Sequence, residues 1–402
     1  MEHNPIEHLD DIYTKISQDM KHDPEKITKQ ISAYLKKLDE GDTEAVQQWE
    51  KLWIHRRQLH KEDYKRLGVR FDFILNELET ERYIPRVYQL LEEKDLCELS
   101  EDGSLVMYLS RYDPNLGKPV VRKADGTSTH LTKDIANILM CHEKYGDVEK
   151  MIYVADIDQE RYFKQLFRIV NLMLENTSPC SELIHVAFGK ILNMSVIPLK
   201  QVLDTAKEKT LKVIKEDMKH GKYVDILKEG ISVNGRNIQG EEAVDYIADT
   251  LGISAILTQD MAVKRTRQYR FLWDKMTDAR GDTGIFLQYT HARICGIERK
   301  LDMPVSAHCH FSLLNEPEAF ELVYAISLYP DIIQTAFQTL DSCTVVTYLF
   351  KLAHMISQAN YNLRIKDVNP NLAEARLLLF WAAKTTLANG MRLIGLCPLE
   401  RM

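Results

Sequence analysis

The pattern of apolar and polar positions changes once along this chain of 402 residues. Up to about residue 200, charged helical segments alternate with short apolar strands, whereas beyond it apolar residues recur at helical spacing. The amphipathic runs of this second region lie at 201–228, 241–252, 285–300, 316–339, 344–363 and 372–393. Helices of this kind cover their apolar stripes by packing against one another. The pattern therefore predicts an α/β region followed by an all-α helical bundle.

Two short apolar segments predict buried strands in the first region. Met151–Asp156 ends in a carboxylate, and Ile184–Phe188 follows it after a helical stripe at 162–170. Polar residues at the carboxyl end of a strand, such as Asp156 and Gln159, lie where open α/β sheets bind ligands. We therefore expect a ligand site near the end of the first strand.

The segment before these strands carries helix signals. Residues 5–65 are predicted to form charged helices, with an N-cap at Asp42-Thr43. Trp49, Leu52 and Trp53 repeat at helical spacing, which predicts that they anchor a core.

Turn signals follow these helices. Apolar residues alternate on both sides of an Asp-Gly pair at 102–103, which predicts a hairpin. A second Asp-Gly pair, at 125–126, precedes a helix that is predicted to begin at Thr132.

Composition narrows the class of protein. Hydrophobic residues make up 45% and charged residues 28% of the chain, and the net charge is -7. This charge argues against a wholly basic nucleic-acid coat, although RNA binding needs only a local basic surface. The seven cysteines are dispersed without a CxxC pair, which favours a reduced compartment. No apolar run is long enough to span a bilayer, and the acidic start resembles neither a secretory signal nor a transit peptide.

The segment 280–293 joins a two-glycine turn to a helical run. Gln288 and His291 lie three residues apart, and Tyr289 and Arg293 four apart, so each pair shares a helix face. Two faces of hydrogen-bonding and stacking groups suit a polar, extended partner. The alternative is a glycine turn, an N-cap and a solvated helix.

The segment Val263–Trp273 interleaves basic and aromatic residues. Such a mixture can neutralise phosphates and stack on unpaired bases. The alternative is a solvated basic loop in which Tyr269, Phe271 and Trp273 anchor the next element. The sequence leaves both interpretations open.

Other clusters give weaker signals. The adjacent residues at His308–His310 could suggest a metal site, but adjacent side chains rarely all reach one ion. No second ligand pair follows at zinc spacing, so we expect no metal site.

Four residues are candidates for holding a cationic ligand, because carboxylates pair well with a guanidinium. They are Glu77, Asp134, Asp156 and Gln159. The alternative for each is an exposed or capping residue, and spacing alone leaves catalysis open.

Taken together, several motifs in order resemble the arginyl-tRNA synthetases, a class I aminoacyl-tRNA synthetase family. The resemblance runs from about residue 30 to the last residue. The segments that carry it are Lys118–Ser128 with Leu131–Asp134 (DGTS…TRD), Lys150–Gln159, His185–Gly189 (HVxFG), Arg280–Arg293 (GDTGxxLQYxHAR), Leu372–Leu377 (DALR type) and Asn389–Met402 (NGMxLLGxxPxxRM).

The resemblance implies a fold and a division of the chain. The fold is the C-terminal half of a Rossmann-type α/β catalytic core with insertions, followed by an all-α DALR-type anticodon-binding bundle. The implied segments are a helical insertion at 1–48, a core segment at 49–76, a β-rich insertion at 77–127, the second half of the catalytic core at 128–203 and the anticodon-binding domain at 204–402.

The resemblance also implies a function. Members arginylate tRNA-Arg with ATP and Mg²⁺, which enter as a substrate complex, and no tightly bound cofactor is expected. The implied partners are arginine and tRNA-Arg, the chain is expected to be a monomer, and the mitochondrial matrix is expected, with the cytoplasm as the alternative. In the family, the residues that hold the substrate arginine correspond to Glu77, His130, Asp134 and Gln159, where His130 replaces a Tyr.

The ATP-handling part departs from the family pattern. The ATP-handling residues of the family correspond to His185, Phe188, Gly189, Met194 and Ser195. The signature loop of this chain lacks the basic TRKGT piece, and no HIGH-type motif occurs in the 402 residues. In the family, the cations of the TRKGT piece stabilise the leaving pyrophosphate. We therefore expect an N-terminally incomplete synthetase with little activity by itself. The alternative is a non-catalytic tRNA-binding or regulatory protein derived from the C-terminal half of a synthetase.

The tRNA-contacting residues of the family correspond to a second group. They are Gln288, Tyr289, His291, Arg293 and Met402. The resemblance thus turns the segment at 280–293 from a capped turn into an expected tRNA-contact turn and helix.

Overall fold

In the computed structural model the described residues are 12, 15–16, 18–39, 41–146, 148–174, 182–194, 197–233, 235–278, 281–301 and 303–402, without the side chains of Asp39, Leu59 and Glu77. The chain divides into two compact units. The first comprises residues 1–65 and 70–187, and the second comprises residues 66–69 and 188–402.

The first unit combines helices with short strands. Its helices are α1 (Pro24–Asp39), α2 (Thr43–Arg66), α3 (Glu77–Glu81), α4 (Ile84–Glu93), α5 (His130–Tyr145) and α6 (Glu160–Leu174). Its strands are β1 (Glu98–Leu99), β2 (Leu105–Val106), β3 (Val120–Arg122), β4 (Lys150–Asp156) and β5 (Glu182–Phe188).

The predicted hairpin around residues 102–103 is confirmed. β1 pairs antiparallel with β2, and β2 with β3, so that Glu98 lies opposite Val106. Gly103 takes a positive φ of 82°, and the Asp102 carboxylate accepts a hydrogen bond of 3.0 Å from the Ser104 amide. The Asp-Gly pair thus closes the turn by its own backbone chemistry.

The two predicted apolar strands, β4 and β5, are neighbours in one sheet, and α6 connects them. The apolar stripe of α6, which includes Phe163, Leu166 and Ile169, is buried. It packs with α5 and α4 into one hydrophobic core. The α/β prediction for this region is therefore confirmed.

The predicted N-cap of α2 is confirmed, since the Ala45 amide donates a hydrogen bond to the Asp42 carboxylate at 2.9 Å. Two other predictions for the first unit need correction. The ring centroids of the two tryptophans after this N-cap lie 6.2 Å apart, and both side chains are partly buried. Leu52 is 38% exposed, and none of the three belongs to a core cluster of the described residues, so they do not anchor a core. The helix predicted to begin at Thr132 begins two residues earlier, because Thr129 provides the N-cap.

The second unit is mostly helical. Its helices are α7 (Leu199–Lys219), α8 (Val224–Glu229), α9 (Gly240–Met261), α10 (Gly284–Leu301), α11 (Pro317–Ser327), α12 (Tyr329–Thr339), α13 (Cys343–Asn362) and α14 (Pro370–Leu393). One cluster of buried residues lies among α10, α11, α13 and α14, and a second lies among α7, α8 and α9. The predicted bundle is confirmed.

Two of the predicted helical runs are broken. The run at 201–228 is interrupted before α8, where Tyr223 takes a left-handed backbone with a φ of 65°. The run at 316–339 is divided at Leu328 into α11 and α12. An antiparallel hairpin of β6 (Ile231–Val233) and β7 (Arg236–Ile238) follows α8, between two predicted runs and where no strand was predicted. Gly235, with a φ of 79°, lies between its strands, so an Asn-Gly turn signal was missed.

Among the described residues, no helix is both long enough and apolar enough to cross a membrane.

Candidate functional site

A cavity of about 860 Å³ in the first unit brings together three of the residues predicted to hold a cationic ligand. They are His130, Asp134 and Gln159. The side chain of Glu77 lies outside the described residues, although its neighbour Asn76 lines the same cavity. The cavity lies at the start of α5 and at the end of β4.

Local capping places these side chains. Thr129 caps α5 by accepting a hydrogen bond of 3.3 Å from the Thr132 amide, which puts His130 and Asp134 in adjacent turns of one face. Asp156, the last residue of β4, accepts a bond of 2.9 Å from the Asp158 amide. This cap starts the short 3₁₀ turn that carries Gln159 into the cavity.

Asp134 is oriented by a second side chain of the cavity. The Tyr162 hydroxyl donates a hydrogen bond to a carboxylate oxygen of Asp134. Burial and this carboxylate raise the pKa of Tyr162, so that the hydroxyl stays protonated and remains a donor. The sequence assigned Tyr162 to a helical core stripe and missed this role. Its position three residues after Gln159, on the same helical face, was the available signal.

The cavity carries charges of both signs. Lys123 and Lys133 line it together with Asp134 and Asp158. Lys133 also pairs with Glu81 at 3.3 Å, which ties α3 to α5. A lining with charges of both signs suits a zwitterionic ligand.

His185 contributes to the wall behind this cavity. Its ring stacks on Phe163, with centroids 4.4 Å apart and an interplanar angle of 22°. Phe163 itself lines the cavity. His185 therefore supports the cavity of the first unit, although its motif had suggested that it acts together with the signature loop.

A second cavity, of about 450 Å³, lies in the second unit. Phe188, Gly189 and Met194, which the sequence assigned to ATP handling, line it. Ser195, assigned to the same group, lies outside the described residues. The stretch at 189–194 runs beside the stretch at 265–271, and several main-chain hydrogen bonds join the two.

The basic and aromatic segment forms this neighbouring stretch, and the structure shows what its aromatic residues do. Phe271 is 2% exposed and contacts Trp273 edge-on at 4.9 Å, and the Tyr269 hydroxyl donates to Asp260 at 2.7 Å. Phe271 and Tyr269 are therefore anchors, so of the two interpretations that the sequence left open the structure favours the second for these rings. The side chains of Lys264, Arg267 and Arg270 are exposed, whereas that of Arg265 is partly buried.

The helix α10 has the two predicted faces, but one of them is internal. Gln288 is fully buried and His291 is 4% exposed. The Gln288 amide nitrogen donates to the carbonyl of Cys397 at 2.9 Å, and its oxygen accepts from the Leu399 amide at 2.8 Å. His291 Nδ1 lies 2.8 Å from the Leu399 carbonyl. The polar, extended partner of this face is therefore the C-terminal segment of the chain itself, which corrects the expectation that Gln288 and His291 face tRNA.

Burial also changes the protonation of His291. Desolvation lowers the pKa of its ring, so the neutral form is favoured at neutral pH. A carbonyl can only accept, so Nδ1 carries the proton that binds Leu399.

The other face of α10 is open. Tyr289 is 42% exposed, and the guanidinium of Arg293 lies 5.3 Å from the centre of its ring. A paired ring and cation can stack on a base and neutralise a phosphate. Met402 is partly buried and packs against the core that includes α9, and its contact with tRNA stays a prediction.

Comparisons with known proteins agree with this architecture. Two family models match: "tRNA synthetases class I (R), catalytic domain" over residues 1–273, and "DALR anticodon binding domain" over residues 287–402. The probable cytoplasmic arginine–tRNA ligase of Dictyostelium discoideum is 36% identical over 99% of this chain, which covers 69% of that protein. The mitochondrial arginine–tRNA ligase of Saccharomyces cerevisiae is 32% identical over the whole chain, which covers 62% of that protein.

A solved structure shows the same fold. The arginyl-tRNA synthetase of Plasmodium falciparum superposes with a TM-score of 0.77 at 22% identity, over 94% of this chain and 62% of that chain. The chain thus spans about two thirds of the length of the proteins it matches, with shares of 62% to 69%.

Proposed function

Because the chain belongs to the arginyl-tRNA synthetase family, we propose that it serves in the ATP-dependent attachment of arginine to tRNA-Arg. The observation that carries the proposal is the cavity of the first unit, where Asp134 is held by Tyr162 beside Gln159. A guanidinium presents five donors in a plane, and a carboxylate with an amide oxygen offers matching acceptors.

The reaction that we propose for this cavity has two steps. The carboxylate of arginine attacks the α-phosphate of ATP, forming arginyl-adenylate and releasing pyrophosphate with its Mg²⁺. A ribose hydroxyl at the 3′ end of tRNA then attacks the acyl carbon, and AMP leaves. Neither step needs a protein nucleophile, so the contribution of the chain is to position arginine and to stabilise charge.

The second unit is the part that we propose for tRNA. The exposed ring of Tyr289 and the cation of Arg293 supply stacking and charge on one face of α10. The buried Gln288 and His291 hold the C-terminal segment, including Leu399, against the opposite face. We therefore assign contact to the first pair and support of the fold to the second.

Arginine selectivity tests the proposal. Isothermal titration of the 402-residue chain should detect L-arginine but not L-citrulline, which has the same shape without the charge. Asp134→Asn should weaken arginine binding by about 30-fold or more, since breaking a partly buried, hydrogen-bonded charge pair costs about 2–5 kcal/mol. Equal binding of arginine and citrulline would contradict the assignment.

A matched variant controls for the loss of charge. Asp95 is exposed, does not line the cavity, and has a positive φ of 50°, which Asn also tolerates. Asp95→Asn should leave arginine affinity unchanged. Equal effects of the two substitutions would show that net charge, and not the cavity, governs binding.

The alternative is a non-catalytic tRNA-binding protein, which the named relatives do not favour. We expect weak ATP–pyrophosphate exchange from this chain alone, because its signature loop lacks the basic piece described above. Robust exchange would overturn that expectation while leaving the arginine site in place. Arginine binding separates the two functions, since a pure tRNA-binding protein needs no arginine selectivity.

Two further assignments belong to the proposal. We propose the mitochondrial matrix as its compartment, with the cytoplasm as the alternative, and relatives named for each compartment match the chain. Cell fractionation decides between them. We also propose that the chain is a monomer, which light scattering during gel filtration tests.

A further inference from the structure

The lining of the cavity of the second unit combines apolar and cationic side chains. Apolar side chains such as Phe188, Ile191 and Met194 line it. Its cationic lining residues are Lys190, Lys264, Arg265 and Arg267. Asp260 also lines the cavity and accepts the hydrogen bond from the Tyr269 hydroxyl. Four cations against one carboxylate leave the described lining positive, which favours an anionic ligand.

The backbone holds these cations in place. The Gly189 amide donates to the Arg265 carbonyl at 2.7 Å, and the Arg267 amide donates to the Lys264 carbonyl at 2.8 Å. A Cβ at Gly189 would lie 2.6 Å from the Arg267 backbone, so the two stretches approach as closely as glycine allows. The cationic side chains thus project from a braced turn, which reduces the ordering that binding requires.

Two of the cations are available to a ligand. The side chains of Lys264 and Arg267 are exposed, and within the described part of the chain neither forms an ion pair. They are three residues apart on one turn, so each can meet a different anionic group. Phe271 is buried, and the Tyr269 hydroxyl is engaged, so the segment offers charge without a free stacking platform.

We propose that this turn binds neighbouring phosphate groups of an RNA backbone, with Lys264 and Arg267 as the phosphate-contacting side chains. The inference rests on the proposed function only in naming tRNA as the natural RNA. Because the contacts reach phosphates and not base edges, they are independent of sequence. A free polyphosphate has the same chemistry, and the experiment distinguishes it from RNA.

The test measures RNA affinity against salt. Filter binding of tRNA-Arg and of an unrelated single-stranded RNA is compared between the wild-type chain and a Lys264→Ala/Arg267→Ala variant. Losing two phosphate contacts should weaken the binding of both RNAs by on the order of tenfold at low salt. It should also reduce the slope of log K against log salt by about 1.4 for a single strand and about 1.8 for a duplex. Lys264→Arg/Arg267→Lys keeps both charges and should retain binding.

The control removes two exposed cations elsewhere in the same unit. Lys219 and Lys222 pair with Glu216 and Asp217 at 2.6 and 2.8 Å. Lys219→Ala/Lys222→Ala should leave RNA affinity and its salt slope near the wild-type values. Equal losses from the two double variants would show a general charge effect and overturn the proposal.

Three further outcomes would distinguish RNA binding at this turn from its alternatives. If wild type binds RNA and the Lys264/Arg267 variant binds it equally well, this inference fails while the proposed function stands. If calorimetry with inorganic pyrophosphate shows a binding loss in that variant while its RNA affinity is unchanged, a free polyphosphate is the ligand and the RNA proposal is overturned. If wild-type protein binds neither arginine nor tRNA-Arg but its binding of the unrelated RNA falls in the variant, the proposed function fails and this inference stands.

Discussion

Replacing Gln288 by Ala removes the side chain that joins α10 to the C-terminal segment. Its amide nitrogen donates to Ser254 Oγ and to the Cys397 carbonyl, both at 2.9 Å, and its oxygen accepts from the Leu399 amide at 2.8 Å. Leu399 is 5% exposed, so its amide loses a partner that water cannot easily replace.

The expected cost follows from these contacts. A buried donor left unpaired costs about 1–3 kcal/mol. One buried methylene group, Cγ, is also lost, at about 0.8 kcal/mol. We expect Gln288→Ala to lower the free energy of unfolding by about 3 kcal/mol. Gln288→Met fills similar space without the hydrogen bonds and should cost about 2 kcal/mol.

Urea unfolding followed by tryptophan fluorescence measures these losses, since Trp273 and Trp381 report on the second unit. Filter binding of tRNA at low temperature, where the variants remain folded, supplies the second measurement. Gln288→Ala should lose stability and keep most of its tRNA affinity. Unchanged stability combined with a large loss of affinity would refute the assignment of Gln288 to the fold.

The remaining predictions concern the same helix. Gly284→Ala should destabilise the fold by about 3 kcal/mol or more, because the new Cβ would overlap the Ser254 carbonyl. In Gly296→Ala the new Cβ meets only a side-chain atom at 3.6 Å, so this substitution should stabilise the fold by up to about 1 kcal/mol. Thermal melting that gives the two variants the same stability would contradict this packing. The pKa of His291 is lower in the folded chain than its ordinary value of 6.5, so at acidic pH the unfolded chain binds more protons than the folded chain. The stability should therefore be retained above pH 6.5 and should fall as the pH drops from there through the folded pKa. Urea titrations across that range should show the loss in wild type and a smaller one in His291→Gln, and equal pH profiles would count against a buried neutral ring. Tyr289→Ala and Arg293→Ala should each weaken tRNA binding by about 1–3 kcal/mol with little loss of stability; affinity equal to wild type at fixed salt would remove this face from the tRNA assignment.

The parts of the fold that could be predicted from sequence depend on local signals. The Asp102-Gly103 turn and the strand ending at Asp156 each carry their own chemistry, and the structure contains both. The cavity was predictable for the same reason, since Asp134 belongs to the first turns of a helix and Gln159 follows a strand end. Glu77 stays a prediction, as do the proposed boundaries between segments of the chain.

What sequence could not predict depends on distant contacts. Periodicity placed Gln288 and His291 on one face of α10, but that face is buried by residues more than a hundred positions later in the chain. Polar side chains on a helix are expected to face solvent unless a partner satisfies them, and this partner is main chain at Cys397 and Leu399. The hairpin of β6 and β7 was missed because its strands of three residues are too short to show alternation.

Hydrogen–deuterium exchange with and without L-arginine locates the bound arginine on the chain, and so shows whether the cavity of the first unit is the arginine site. Arginine should slow exchange in peptides covering 123–137 and 156–163, which line the cavity of the first unit, and L-citrulline should not. Absence of protection there, or protection confined to 284–301, would contradict the account.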